Sequence, residues 1–213
     1  MRDCPVLYAD EAMLVLDKPA GLLSVPGRGD DKQDCLSARV QAVYPRALIV
    51  HRLDMATSGV IVMALSPEAQ RTLNDAFAQR RVDKRYVAVV QGCMPEQAGA
   101  WGEINLPIVV DWPNRPRRRV DHATGKPSLT RWRRVSCDVD CQTTRVALAP
   151  VTGRSHQLRV HLMAVGHPIV GDALYGGTDP TQPDQRLLLH ASELTLAHPT
   201  SGALLHFTSP PAF

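Results

Sequence analysis

A six-residue apolar run, Val60 to Leu65, stands behind two opposite charges, Arg52 and Asp54, in the stretch HRLDMATSGVIVMAL. Its length and β-branched content predict a buried strand. A second apolar triplet, Leu48 to Val50, precedes the charges, and the turn-forming cluster Thr57, Ser58 and Gly59 is expected to break the two strand-like segments apart. Whatever fold the chain adopts must therefore pin a charged pair beside a buried strand.

The remaining apolar runs predict an α+β fold. Pro5 to Tyr8 and Ala12 to Asp17 form a candidate hairpin, and a Gly- and Pro-rich loop, KPAGLLSVPGRGDD, follows. Asp34 is placed to cap a helix from Cys35 to Tyr44, with Leu36, Val40 and Val43 on one face and Pro45 ending it. Ser66, Pro67 and Glu68 open a second helix with a cap, a first-turn proline and an acid at its positive end. KRYVAVVQG reads as a strand with Tyr86, Ala88 and Val90 on one face. Residues 101 to 123 include DWPNRPRRRVDH and predict an exposed, partly extended loop. Leu129 to Val135 and Thr143 to Ala149 are strand candidates, Ser155 is a candidate cap for a helix to Val165, and RLLLHASELTLAHP and ALLHFTSP close the chain as strands. At 213 residues one catalytic-sized domain spanning 1–213 is expected, with a mixed, mostly antiparallel central sheet flanked by helices and loops.

Composition narrows the function classes. With 44% hydrophobic and 21% charged residues, and no apolar run near the roughly 20 residues of a membrane span, no membrane role is expected. The N-terminus lacks a signal-peptide core, and the five cysteines form no CxxC pair; only Cys137 and Cys141 are close. Free thiols in a reducing, cytoplasmic compartment follow. The net charge of +3 is uneven: Arg71 to Arg134 holds 13 Lys and Arg against 6 Asp and Glu, whereas the rest holds 11 against 15. A basic third of this kind suits a polyanion such as RNA.

Asp54 is the leading chemical candidate, because apolar segments flank it on both sides. A carboxylate held ionised and oriented is a nucleophile, and Arg154, at the N-terminal end of the last predicted helix, is its natural counter-ion. A structural salt bridge would use the same residue. His156 and His161 are five apart, not the four of a helical zinc pair, so no metal site is expected. There is no phosphate-binding Gly-rich loop, no GxSxG, and no motif that nominates a second carboxylate for a glycosidase.

HRLDMATSGVIVMAL resembles the catalytic signature of the RluA family of pseudouridine synthases. The resemblance extends through DKPAGLLSVPG, KRYVAVVQG, TGRSHQLRVHLMAVGHPIVGD and RLLLHA, in that order. DWPNRPRRRVDHATGKPSLTRW further resembles the member that modifies both 23S ribosomal RNA and transfer RNA. Many relatives carry an N-terminal S4 RNA-binding domain, which is not expected here, so RNA binding is expected from the core itself.

The resemblance implies isomerisation of uridine in structured RNA, such as rRNA and a tRNA anticodon stem-loop, with no metal or organic cofactor. Asp54 matches the nucleophile, attacking either the uracil ring or the ribose anomeric carbon. Tyr86 matches the tyrosine that stacks on the target base, and Arg154 the arginine paired with the carboxylate. Arg52 matches the residue that enters the RNA stack, with His51 and Thr57 of the same signature counted as RNA-binding. Leu188, Leu189, His190 and Ala191 match the motif lining the pocket. Arg115, Arg117, Arg118 and Arg119 are expected on phosphates, and nothing demands more than a monomer. A non-catalytic RNA-binding protein and an Asp-dependent RNA glycosylase are the rival readings; an acid in a phosphate-binding cleft weakens the first.

Overall fold

The computed structural model describes residues 4–96, 100–140, 142–176 and 186–213. Cys141 lies outside the described residues. In chain order the elements are β1 (Val6–Ala9), β2 (Met13–Lys18), α1 (Leu36–Gln41), β3 (Leu48–Ile49), β4 (Ser58–Ala64), α2 (Pro67–Ala78) and β5 (Asp83–Gln91). They continue with β6 (Gly102–Asn105), β7 (Ile108–Val110), β8 (Arg118–Val120), β9 (Leu129–Asp138) and β10 (Thr143–Pro150). α3 (Gln157–Ala164), β11 (Leu189–Ala197) and β12 (Leu204–Thr208) complete the chain. They fall into two compact units, one of residues up to 84 with 190–212, the other of 85–189 with 213.

In the first unit β4 is buried along its whole length, as the apolar run predicts. It pairs antiparallel with β2 and β3 and parallel with β11 through Ser58–His190 and Gly59–Ala191. β1 and β12 extend the sheet antiparallel from β2 and β11. Val60, Val62 and Ala64 join Met13, Val15, Leu194 and Leu196 in a core covered by Ala69, Leu73 and Ala76 of α2. That helix starts as predicted: the Ser66 side chain accepts the Ala69 N–H, and Pro67 opens the first turn.

The second unit is an antiparallel sheet in the order β5, β10, β9, β6, with β7 and β8 as a separate hairpin. α3 packs on β8, β9 and β10, with Gln157 to Leu162 buried. The expected mixed, mostly antiparallel α+β architecture is the observed one.

Several local expectations are corrected. Ser58 and Gly59 are not a break but the first residues of β4. α1 ends at Gln41, so Val43 is 56% exposed, and Asp34 bonds the Arg39 guanidinium instead of capping. Residues 101–123 are not a loop but contain β6, β7 and β8. α3 begins after His156, which takes the left-handed conformation (φ 57°), and Ser155 is not its cap.

His51 is built into the first unit. Its ring stacks on Phe77 at 4.5 Å, and its Nε2 accepts the Val62 N–H at 3.2 Å, two residues past the end of β3. Burial pushes the imidazole pKa down to about 3, with the Lys84 charge adding to the shift. The ring is therefore a neutral acceptor.

Two measurements test this unit. Gly59 has φ 114°, and a Cβ there would collide with the Ala191 carbonyl and lie 2.6 Å from its nitrogen. Gly59→Ala is expected to destabilise by more than about 3 kcal/mol in urea unfolding, because strain and backbone collision add. For His51, the unfolded chain takes up a proton near pH 6.5 and the folded one only near 3, so stability falls as pH drops below 6.5, by at most ~1.4 kcal/mol per unit. Unfolding at pH 6.5 and 4.5 is expected to show a smaller acid loss in His51→Gln than in the parent.

Candidate active site

Asp54 sits in the first unit, half-buried, between exposed Arg52 and the turn that leads into β4. The turn is closed by the Thr57 N–H on the Asp54 carbonyl at 3.0 Å. Leu53 is buried, and the Ser24 hydroxyl holds it twice, donating to its carbonyl at 2.7 Å and accepting its N–H at 3.1 Å. The Met55 carbonyl accepts the Gly21 N–H at 2.8 Å and the Lys18 Nζ at 3.1 Å. Asp54 is thus set between two residues whose backbone is clamped by the loop after β2.

Lys18 is fully buried, an unusual place for an ammonium. Its Nζ also donates to the carbonyls of Pro19 at 2.9 Å and Leu22 at 2.7 Å, so three acceptors meet its three protons. Burial lowers its pKa to about 8, while Cys4 and the Asp54 carboxylate pull the other way. At neutral pH it remains a cation, close enough to Asp54 to sense its charge.

His190 lies at the start of the parallel pairing between β11 and β4. Its Nε2 faces the Ser209 carbonyl at 3.0 Å and must donate there, which leaves Nδ1 to accept the Ser58 hydroxyl at 2.9 Å. The ring holds strands together and is buried. Thr57 is buried as well, so of the residues predicted to contact RNA in this unit Arg52 alone is exposed.

In the second unit Tyr86 is half-buried on β5, opposite Leu148 of β10. Leu188 accepts the Val89 N–H and donates to the Val170 carbonyl, and Leu189 is buried. Arg154 is exposed in the loop before α3. That loop is organised by Gln157, whose Oε1 accepts the Arg154 N–H at 3.0 Å and the Thr152 hydroxyl at 2.7 Å. Its Nε2 donates to the Leu129 carbonyl and the Thr130 hydroxyl, both at 3.0 Å.

The β7–β8 hairpin carries Arg115, Arg117, Arg118 and Arg119. Arg119 pairs with Asp121 at 2.7 Å, and the Arg118 N–H donates to the Tyr175 hydroxyl at 2.8 Å. Tyr175 in turn meets His156 Nδ1 at 2.7 Å, so a chain of bonds links the hairpin to the residue two positions after Arg154. A buried two-point ion pair, Arg159 with Asp172 at 2.7 Å each, supports Tyr175, whose N–H bonds the same carboxylate at 3.1 Å.

Among the described residues no group of three or more His, Cys, Asp or Glu is arranged to hold a metal ion. His161 bonds the Thr130 hydroxyl and the Leu106 carbonyl. No helix among the described residues is long and apolar enough to cross a membrane. Sequence reasoning missed Lys18, Ser24 and Gln157 as positioning residues. The signal for Lys18 was a charge ending the apolar strand AMLVLDK; the other two gave none.

The chain as a whole has counterparts among known proteins. Residues 12–164 match the family model of RNA pseudouridylate synthases. The chain is 49% identical over 208 residues to the "Dual-specificity RNA pseudouridine synthase RluA" of Escherichia coli (strain K12), covering 98% of this chain and 93% of that one. The protein of the same name from Yersinia pestis is 48% identical over 202 residues, covering 95% and 96%. The solved structure of human RNA Pseudouridylate Synthase Domain Containing 1 superposes with a TM-score of 0.77 at 29% identity, covering 99% of this chain and 84% of that one. Family model, relatives and fold agree: the chain belongs to the RNA pseudouridylate synthases, isomerases that convert uridine in RNA to pseudouridine.

Proposed function

We propose that this synthase acts on uridines in structured stem-loops of both 23S rRNA and the tRNA anticodon arm, with Asp54 as nucleophile. The half-buried placement of Asp54 beside a buried cation, on backbone clamped at both neighbouring residues, carries the reading, because a carboxylate on a fixed mount loses less freedom on reaching the transition state. The dual-specificity relatives, at 49% identity over nearly the whole chain, support the pair of substrates.

In this reading a target base is flipped out at a cost of a few kcal/mol, least in a loop. Arg52, exposed next to the clamped Leu53, fills the vacated stack, Tyr86 covers the flipped base, and Arg154 pairs with the carboxylate. Asp54 attacks the uracil ring or the ribose anomeric carbon. The N1–C1′ bond breaks, the uracil turns and C5 bonds C1′; the Asp54–substrate bond then breaks to restore the carboxylate, the C5 proton leaves to solvent, and N1 takes one up in its place. The arginines of the β7–β8 hairpin hold phosphates. The chain works as one catalytic domain over 1–213, as a monomer in the cytoplasm, with no cofactor.

RNA tritiated at uracil C5 tests the chemistry: tritium release without free uracil is expected, and release of the base would instead indicate a glycosylase. Asp54→Asn is expected to lower turnover by at least about 1,000-fold while leaving RNA affinity within about 3-fold, since the lost group acts in the bond-making step. Retained turnover would remove Asp54 as nucleophile. Replacing Arg117, Arg118 and Arg119 together by Ala is expected to weaken binding and reduce the slope of log K against log salt by roughly 2, near what three released counterions give on single-stranded RNA. An unchanged slope would take the hairpin out of the interface.

A further inference from the structure

The tip of the β7–β8 hairpin presents an aromatic that the roles above do not use. Trp112 is 66% exposed, the largest apolar side chain so placed among the described residues. The Arg115 guanidinium lies over its ring, 3.4 Å from the centroid. An indole left in water costs apolar hydration, and within the hairpin the guanidinium of Arg115 covers only one face of the ring.

The tip is not a loose loop. The Asp111 N–H bonds the Arg117 carbonyl at 3.1 Å, the Asn114 N–H the Asp111 carbonyl at 3.2 Å, and the Arg117 N–H the Asn114 carbonyl at 2.9 Å. The Asn114 amide adds a bond to the Asp111 carboxylate at 3.0 Å. Below the tip, Arg118 is tied to Tyr175 and Ile108 exchanges both backbone bonds with Lys126. Trp112 is therefore held out on a support that is ordered before any partner arrives, which lowers the entropy lost on binding.

We propose that Trp112 is a specificity-determining residue that stacks on one unpaired nucleobase of the RNA substrate, backed by Arg115. Base–aromatic stacking accepts any base but requires that it be unpaired and splayed out. The surrounding arginines supply phosphate contacts that any RNA satisfies, so the indole distinguishes a loop from a plain stem. This inference rests on the stem-loop reading above and adds the residue that recognises the unpaired nucleotide.

The test uses the full chain and its Trp112→Ala and Trp112→Phe variants, with a hairpin RNA of anticodon-arm size and a blunt duplex of the same stem. Dissociation constants are read by anisotropy at one salt concentration, and turnover on the hairpin at saturating RNA. Trp112→Ala is expected to raise the hairpin Kd by roughly 5-fold or more, the low end of a single base–aromatic stack, while leaving the duplex Kd and saturated turnover unchanged. Trp112→Phe, which keeps a ring, is expected to stay within about 2-fold of the parent on the hairpin. An unchanged hairpin Kd, an equal loss on the duplex, or a Phe variant as weak as the Ala variant would each overturn the stack. Absence of turnover by the parent on the hairpin would overturn the substrate reading, and the ratio of dissociation constants still decides the role of Trp112.

Discussion

The candidate active site depends on one buried ammonium. Removing a cation from water is costly unless acceptors replace the lost hydration, and Lys18 meets this with three backbone carbonyls. Those carbonyls come from the loop that leaves β2 and from the residue after Asp54, 37 positions away. The charge can be satisfied only if both segments close around it, so folding itself fixes the backbone next to Asp54. Ser24 reinforces the closure on the other side of Asp54.

The second unit uses the same device with different groups. Gln157 satisfies four partners at once and so shapes the loop that displays Arg154. The Arg159–Asp172 pair is buried and two-pronged, and breaking it would leave an uncompensated charge. Through Tyr175 that pair also supports the arginine-rich hairpin. In both units the candidate side chains Arg52, Asp54, Tyr86 and Arg154 are half-buried or exposed, and the groups that hold the backbone around Asp54 and Arg154, namely Lys18, Ser24 and Gln157, are buried. This division matches what catalysis on a large, charged substrate requires: accessible tools on a rigid mount.

Most of the fold was legible because its strands are locally marked. β4, β5, β9, β10 and β11 are runs of β-branched and apolar residues with turn signals between them, and the α2 cap is spelled out by Ser66 and Pro67. The hairpin β7–β8 was not legible, because its Pro and Arg content reads as loop, while residues distant in sequence, Lys126 and Tyr175, hold its strands through Ile108 and Arg118. The start of α3 was misplaced for a similar reason. Ser155 has the local chemistry of a cap, yet the Gln157 side chain takes the Arg154 N–H and His156 turns left-handed. Helix α1 stops short at Gln41, as Val43 and Tyr44 turn back onto the Val40 carbonyl.

The sequence by itself determined the candidates for the chemistry. Asp54, Arg52, Tyr86 and Arg154 are named by residue type and by ordered motifs, and the buried strand beside Asp54 follows from apolar content that any fold must remove from water. Only the tertiary structure decided how those groups are held. Lys18, Ser24 and Gln157 act through hydrogen bonds to partners up to 37 residues away, and His51 and His190 prove to brace strands, His51 as an acceptor and His190 by accepting at one ring nitrogen and donating at the other. Hydrogen bonds are short and directional, so which donor meets which acceptor exists as information only once the chain has closed on itself.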